Sequence, residues 1–214
     1  MTKKPRFDAL LFDLGGVLMD FAAFDELGEL LPGSPNRSKV RDRWIHTPAV
    51  QRFERGEITP QQFAEGVIEE LQIDLSPEEF LVKFVEWAHG PYPGAIALLD
   101  HLRHDHRVAA LSNANELHTP LHRRRFGPVI ETFYFSDEIG HAKPERAIYE
   151  HVVHDLGVSP NRIAFFDDTP VNIVAAKDVG IIAFGTDGFS ELTTRLRFLG
   201  LFNGPPGEDN EAPV

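Results

Sequence analysis

The sequence predicts an α/β fold, a parallel sheet covered by helices, with an all-helical segment inserted into it. Three observations carry that prediction. Short apolar runs end abruptly in polar residues at Leu10-Leu11-Phe12-Asp13, at Val108-Ala109-Ala110-Leu111-Ser112-Asn113 and at Ile163-Ala164-Phe165-Phe166-Asp167-Asp168, as buried strands of a parallel sheet do. Beyond residue 90, strand-like and helix-like stretches alternate, which calls for a parallel sheet with right-handed crossovers. Between about residues 20 and 90 there are several helix signatures and no convincing strand.

Taken in order, the first strand is broken by Asp13 and then by Gly15-Gly16. A lone ionised carboxylate is costly inside an apolar strand, so Asp13 belongs at the strand's exit. The glycines let the chain turn there and leave room for close approach to the main chain. In the helical segment, Phe24, Leu27, Leu30 and Leu31 make an apolar stripe before the break at Pro32-Gly33-Ser34-Pro35. Ser34 or Asn36 can start a polar helix carrying Val40, Trp44 and Ile45. Thr59-Pro60-Gln61-Gln62 and Ser76-Pro77-Glu78-Glu79 both have the capping-box form with proline in the first turn. Gly90-Pro91-Tyr92-Pro93-Gly94 is the natural return hinge.

Helices are then expected over about 94–104, 115–124, 144–156, 170–179 and 188–200. Strands are expected over 107–112, 132–135, 162–167 and 181–184. The predicted division is a core of residues 1–19 and 90–201, a helical unit of 20–89, and a disordered tail of 202–214 rich in Gly, Pro and acid.

Bulk properties narrow the function classes. The 214 residues suffice for one substantial domain or a core with a smaller inserted one. A formal net charge of −12 disfavours nonspecific binding to nucleic acid or anionic membranes. There is no cysteine, so no disulfide, thiolate metal site or thiol nucleophile. The basic stretch Met1-Thr2-Lys3-Lys4-Pro5-Arg6 is followed by an apolar segment that Asp8 and Asp13 interrupt, with no cleavage pattern. No apolar run approaches membrane-spanning length, and a cytoplasmic location is expected.

The ends of parallel strands line up along one sheet edge, where open α/β folds place their ligands. Singly, Asp, Ser or Asn after a strand can simply cap the next helix; three such ends together argue for a shared site. Asp13, Asp167 and Asp168 would bring three carboxylates close, and like charges that close need a cation or a proton between them. Oxygen-only ligands suit a hard ion such as Mg²⁺, to which the Gly15 carbonyl could add another oxygen. Lys143 is the obvious cation to answer the remaining charge, although alone it reads as a surface lysine before a helix that Pro144 opens at its first position.

Phe12-Asp13-Leu14-Gly15-Gly16-Val17-Leu18, Leu111-Ser112-Asn113, Lys143-Pro144 and Phe166-Asp167-Asp168 with Asn172 resemble, in order, the four motifs of the haloacid dehalogenase (HAD) superfamily. The resemblance covers about residues 7–185 and fits the members with a helical cap inserted after the first strand. It implies a Rossmann-like parallel core with an inserted α-helical cap domain. Ser112-Asn113-Ala114-Asn115-Glu116-Leu117-His118-Thr119, Glu54-Arg55-Gly56-Glu57-Ile58 and the Asp167-Asp168 pair are most similar to the sugar-phosphate phosphatase branch. Within that branch the sequence resembles the bacterial α-glucose-1-phosphate phosphatases, and more distantly the amino-terminal phosphatase domain of soluble epoxide hydrolases.

The resemblance implies that Asp13 is a nucleophile forming an aspartyl-phosphate on a small phosphorylated metabolite, such as a sugar 1-phosphate. It implies Mg²⁺ held by Asp13, the Gly15 carbonyl and Asp168, with Asp167 assisting directly or through water. Ser112 and Asn113 would hold phosphate oxygens by side-chain and backbone donors, and Lys143 would stabilise the transferring group. Asn172 stands where many relatives carry an acid and would be at most an outer partner of the metal. Thr169 would cap the helix that Pro170 opens.

Gly15 departs from the pattern, since phosphatases of the superfamily usually carry an aspartate there as general acid and base. Such help is typically worth about 10²–10⁴ in rate. The substrate can have a good leaving group, another residue (Asp20 or one from the cap) can substitute, or the protein can be mainly a phosphate binder. Asp20 could equally cap the first cap helix. Trp44, His46, Phe53, Glu54 and Arg55 form the polar–aromatic group to inspect for specificity, while Trp44 and Phe53 fit cap core and Arg55 the surface equally well. Arg123-Arg124-Arg125 is expected to be a solvated helix end. A metal-free haloacid dehalogenase and a phosphate-binding regulatory module are the competing functions; the paired acids argue against the first.

Overall fold

A computed structural model describes residues 6–21, 23–33 and 35–204. In chain order the elements begin with β1 (Ala9–Phe12) and β2 (Met19–Phe21). Five helices follow: α1 (Ala23–Leu30), α2 (Arg37–His46), α3 (Pro48–Phe53), α4 (Pro60–Leu71) and α5 (Pro77–Glu86). Then come β3 (Ala88–Pro91), α6 (Ala95–Leu102), β4 (Arg107–Ser112), α7 (Thr119–Phe126) and β5 (Thr132–Phe135). The chain continues through α8 (Ser136–Ile139), α9 (Arg146–Leu156), β6 (Ile163–Asp167), α10 (Pro170–Asp178), β7 (Ile182–Gly185) and α11 (Gly188–Phe198).

Five strands form a parallel sheet in the order β5-β4-β1-β6-β7. Successive strands step outward from β1 through β4 to β5, then jump back to β6 on its other side. The strand order therefore reverses between β1 and β6, the place where open sheets leave a crevice beyond their carboxyl ends. Phe12 is in register with Phe166, so Asp13 and Asp167, each one residue further on, leave the sheet at the same level.

Both faces of the sheet are buried, and the strands alternate strictly between them. Leu10, Phe12, Val108, Ala110, Ala164 and Phe166 pack with Leu98, Leu99, Leu102, Leu192 and Leu196 of α6 and α11. Ala9, Leu11, Ala109, Leu111, Ile163 and Phe165 pack on the opposite face with Ile148, Tyr149, Val152 and Ala176 of α9 and α10. This two-sided burial is why the strands are continuous apolar runs in the sequence.

Residues 23–87 carry a separate buried cluster of Leu27, Val40, Trp44, Phe53, Phe63, Val67, Phe80, Phe84 and Trp87. Phe63 stacks on Phe53 at 4.3 Å between ring centroids and lies 4.9 Å from Phe84. Both expected capping boxes form: Thr59 and Gln62 cap each other's backbone at the start of α4, and Ser76 and Glu79 do so at α5.

Some expectations need correction. The stretch 20–90 is not free of strands, because β2 and β3 pair antiparallel with Asp20 opposite Gly90, where the chain leaves the core and returns. Neither piece has a periodic pattern of its own, and each becomes a strand only by meeting the other. Asp20 therefore lies on β2, beside His89 at 3.3 Å, and caps no helix. The helix expected from residue 115 starts at Thr119, because the Asn115 side chain accepts from the Leu117 and His118 N–H groups and holds a turn there. Asn36 caps α2, and Ser34 lies outside the described residues.

Phe202 is no free tail: it packs on the core with its ring 5.6 Å from His101, and Arg197 reaches the Gly204 carbonyl. The rest of the expected tail, 205–214, and the basic residues before Arg6 lie outside the described residues. Arg123 and Arg124 are exposed in the last turn of α7, as expected, with Arg123 paired to Glu138 at 2.6 Å and lying over the Phe135 ring, while Arg125 is half-buried. No helix among the described residues is long and apolar enough to cross a membrane.

Helix capping and aromatic packing in residues 23–87 should be separable by mutation. Thr59→Ala and Ser76→Ala should each cost about 1 kcal/mol, and Phe63→Ala about 3–5 kcal/mol, in urea denaturation followed by circular dichroism.

Candidate active site

The site is built on the ends of β1 and β6. The Asp13 N–H donates to the Phe166 carbonyl at 2.9 Å, which locks the first residue after β1 to its neighbour strand. The carboxylate turns back to accept from the Leu14 N–H at 2.8 Å. Lys143 bridges the two strand ends: its Nζ lies 2.9 Å from Asp13 Oδ1 and 2.7 Å from Asp167 Oδ2. Asp13, Asp167 and Asp168 each offer a carboxylate oxygen, and these oxygens lie within 4.8 Å of one another.

The three acids are held differently. Asp167 has no exposed surface and is held by the Thr169 N–H at 2.7 Å, by Asn172 Nδ2 at 3.0 Å to each oxygen, and by Lys143. Asp168 accepts from the Thr169 hydroxyl at 2.9 Å and from Arg41 at 3.0 Å. Thr169 sits at the N-cap of α10, but its side chain caps nothing, because the neighbouring carboxylate takes its hydroxyl. Gly16 has φ +73°, and a Cβ there would lie 2.7 Å from Asp168 Oδ2. The second glycine of the motif thus leaves space for the third carboxylate.

Electrostatics follow from this crowding. Burial pushes the Asp13 carboxyl up to about 7; Lys143 opposes the rise, while the charges of Asp167 and Asp168 add to it. Burial alone would favour loss of the Lys143 proton, but Asp13 and Asp167 outweigh it and hold the ammonium more firmly than usual. Three carboxylates on oxygen-only chemistry, answered by one buried ammonium and one half-buried guanidinium, suit a hard divalent cation.

Ser112 ends β4, and its buried hydroxyl makes only a long 3.4 Å contact with the Asn113 carbonyl. The Asn113 side chain is fully engaged. Its Oδ1 accepts from the Lys143 N–H at 2.8 Å, and its Nδ2 donates to the Lys143 carbonyl at 3.0 Å and to Glu54 Oε2 at 3.1 Å. It is a clasp on the lysine loop. That clasp, with a turn closed by the Glu145 N–H on the Ala142 carbonyl, also corrects the place of Pro144: α9 begins only at Arg146, behind Glu145 at its N-cap. The Lys143–Pro144 peptide is cis.

A family model for haloacid dehalogenase-like hydrolases matches residues 7–180. The chain belongs to that family. It is 26% identical to a D-ribitol-5-phosphate phosphatase of Bacteroides thetaiotaomicron over 205 residues, 87% of this chain and 97% of the relative. It is 27% identical to a phosphorylated carbohydrates phosphatase of Thermotoga maritima, covering 81% of this chain and 82% of that protein. Among solved structures it resembles a HAD-family enzyme of Bacteroides thetaiotaomicron in complex with magnesium and inorganic phosphate. That likeness has a TM-score of 0.66 and 26% identity, over 85% of this chain and 96% of that one.

Within this HAD-like hydrolase, the residues singled out for specificity disperse. Trp44 and Phe53 belong to the helical cluster, and His46 is exposed beside Asp42. Arg55 pairs with Glu145 at 2.7 Å, tying the helical segment to the loop after Lys143. Only Glu54 of that group reaches the strand-end residues. Arg41 was not legible in the sequence; from α2 it contacts both Asp168 and Thr169. One arginine in a polar helix gives no signal of what it crosses the fold to meet. The His118 ring bonds the Phe84 carbonyl at the end of α5 at 2.9 Å. The burial of His118 and of His122 had no sequence signal.

Two predictions test this geometry. Gly16→Ala should lose about 1–2 kcal/mol of stability from its left-handed backbone. By displacing Asp168 it should also weaken divalent-cation binding about 10–100-fold, measured by calorimetric titration. His122 is buried with its Nδ1 unpartnered, and burial first, then His118 and Arg125, lower it to about 3. Because the unfolded chain takes up this proton at higher pH than the folded one, stability falls as pH drops below about 6.5. His122→Phe should flatten the decline of melting temperature between pH 6.5 and 4.

Proposed function

We propose that this HAD-like hydrolase is a Mg²⁺-dependent phosphatase of small phosphorylated metabolites, sugar or sugar-alcohol phosphates in particular, working through an aspartyl-phosphate on Asp13. The observation that carries the proposal is the Asp13–Lys143–Asp167 bridge with Asp168 beside it, at the crevice where the strand order reverses. The names of the two curated relatives, both phosphatases acting on phosphorylated carbohydrates or alditols, support the same class of substrate. In this reading residues 20–89 are a cap over a core of residues 1–19 and 90–201.

Asp13 is the nucleophile of this reading: its Oδ1 meets Leu14 N–H and Lys143, whereas Asp167 accepts on both oxygens and Asp168 is turned to Arg41 and Thr169. Asp13, Asp168 and the Gly15 carbonyl would hold Mg²⁺, with Asp167 acting behind them as the counterion of Lys143. When bound, Mg²⁺ supplies the positive charge that lets a phosphate dianion approach a carboxylate. The Ser112 hydroxyl and the Asn113 backbone N–H receive phosphate oxygens, while the Asn113 side chain keeps Lys143 in place. Lys143 keeps Asp13 ionised for attack and meets the charge on the transferring group.

Hydrolysis of p-nitrophenyl phosphate should disappear with a chelator, return with Mg²⁺, and fall to background in Asp13→Asn. Full activity of Asp13→Asn would overturn the assignment, and metal-independent chloride release from 2-chloropropionate would favour a dehalogenase. A comparison of glucose 1-phosphate, glucose 6-phosphate and D-ribitol 5-phosphate should then rank anomeric against primary phosphates.

A further inference from the structure

Phosphoryl transfer to Asp13 leaves an alkoxide on the departing sugar unless a proton meets it. The ionisable groups around Asp13 are committed elsewhere. Asp167 is saturated with donors, Asp168 faces Arg41 and Thr169, and Lys143 is locked as an ammonium between two carboxylates. Gly15 has no side chain. In-line attack by a carboxylate rising from the sheet edge places the leaving oxygen on the far side of phosphorus, away from the sheet and toward the helical segment.

One carboxyl group is delivered from that side. Glu54, at the C-cap of α3, reaches Asn113 Nδ2 at 3.1 Å, and the same nitrogen lies 3.0 Å from the Lys143 carbonyl. Its position is fixed by the two residues that follow it. Arg55 is tied to Glu145 at 2.7 Å, and Gly56, at φ +68°, sits so close to α8 that a Cβ would lie 2.6 Å from the Asp137 carbonyl. We propose that Glu54 is the general acid and base of this enzyme, carried by the helical segment and supplying the proton that Gly15 cannot.

The proposal rests on the phosphatase reading and extends it. As the Asp13 oxygen bonds to phosphorus, the bond to the leaving oxygen breaks; its electron pair stays on that oxygen, which takes the Glu54 proton and departs as an alcohol. Water then attacks phosphorus, losing a proton to the Glu54 carboxylate, and the Asp13–phosphorus bond breaks to release phosphate. Both residues return to their starting states. Burial holds the Glu54 carboxyl up at about 7, against the lowering influence of the Asn113 amide, the Lys143 ammonium and Arg55. The other charged groups beside this loop include Glu145, paired with Arg55, Asp137, next to Gly56, and Arg52 and Glu57, which face each other at 3.6 Å.

The test is Glu54→Gln, which keeps an acceptor for Asn113 but carries no titratable proton, assayed with Mg²⁺ on two aryl phosphates of similar shape. Phenyl phosphate has a poor leaving group and p-nitrophenyl phosphate a good one. The variant should lose about 10²–10⁴-fold in kcat/KM on phenyl phosphate and far less on p-nitrophenyl phosphate. It should also lack the wild type's decline in phenyl phosphate kcat/KM above about pH 7, where Glu54 gives up its proton. Equal losses on both substrates, or none on either, would overturn the proposal and leave Glu54 a positioning residue for the Asn113 clasp. A wild type inactive on both would overturn the phosphatase reading itself and this proposal with it.

Discussion

The bridge of one buried ammonium between Asp13 and Asp167 is the constraint on which the rest of the site depends. Removing charges from water costs several kcal/mol per ion, and the attraction between partners repays it only where geometry and further hydrogen bonds are good. Here every further partner is supplied. Thr169 and Asn172 hold Asp167, the Phe166 carbonyl and the Leu14 N–H hold Asp13 from its own backbone and side chain, and Asn113 holds both backbone groups of Lys143. The strands thus deliver acids at one level, and a loop from outside the sheet delivers the cation that lets them stay ionised so close together.

The helical segment has an aromatic core of its own, and it meets the rest of the chain through a few polar contacts and through Leu117 and the His118 ring, which lies 4.5 Å from the Phe84 ring. Arg41 reaches Asp168 and Thr169, Glu54 reaches Asn113, Arg55 reaches Glu145, and the Phe84 carbonyl receives His118. A unit with its own core can present side chains such as Arg41 and Glu54 to the strand-end residues.

Much of this was legible from local sequence. Two-sided burial made β1, β4 and β6 continuous apolar runs, and the polar residue ending each run fell at the carboxyl edge because that is where the apolar packing of the two faces gives way to polar partners. Both capping boxes formed because their bonds join residues three apart and need no other part of the chain. Asp13, Ser112 and the Asp167-Asp168 pair stand together because strand ends align once the sheet order is set, and Lys143 joins them from the loop before α9.

The sequence by itself determined the five strands of the sheet and most of the helices, though not α3 or α8, together with the acids at the strand ends and the family they mark, since these depend on short-range periodicity, capping and motif spacing. Tertiary structure decided the pairing of β2 with β3, the clasp of Asn113 on Lys143 that delays α9, the reach of Arg41, and the selection of Glu54 from a group whose other members turn inward or away. Each of those joins residues far apart in the chain. Which face of a helix turns toward a cleft, and what charge waits there, is set by packing between units and not by any pattern within one.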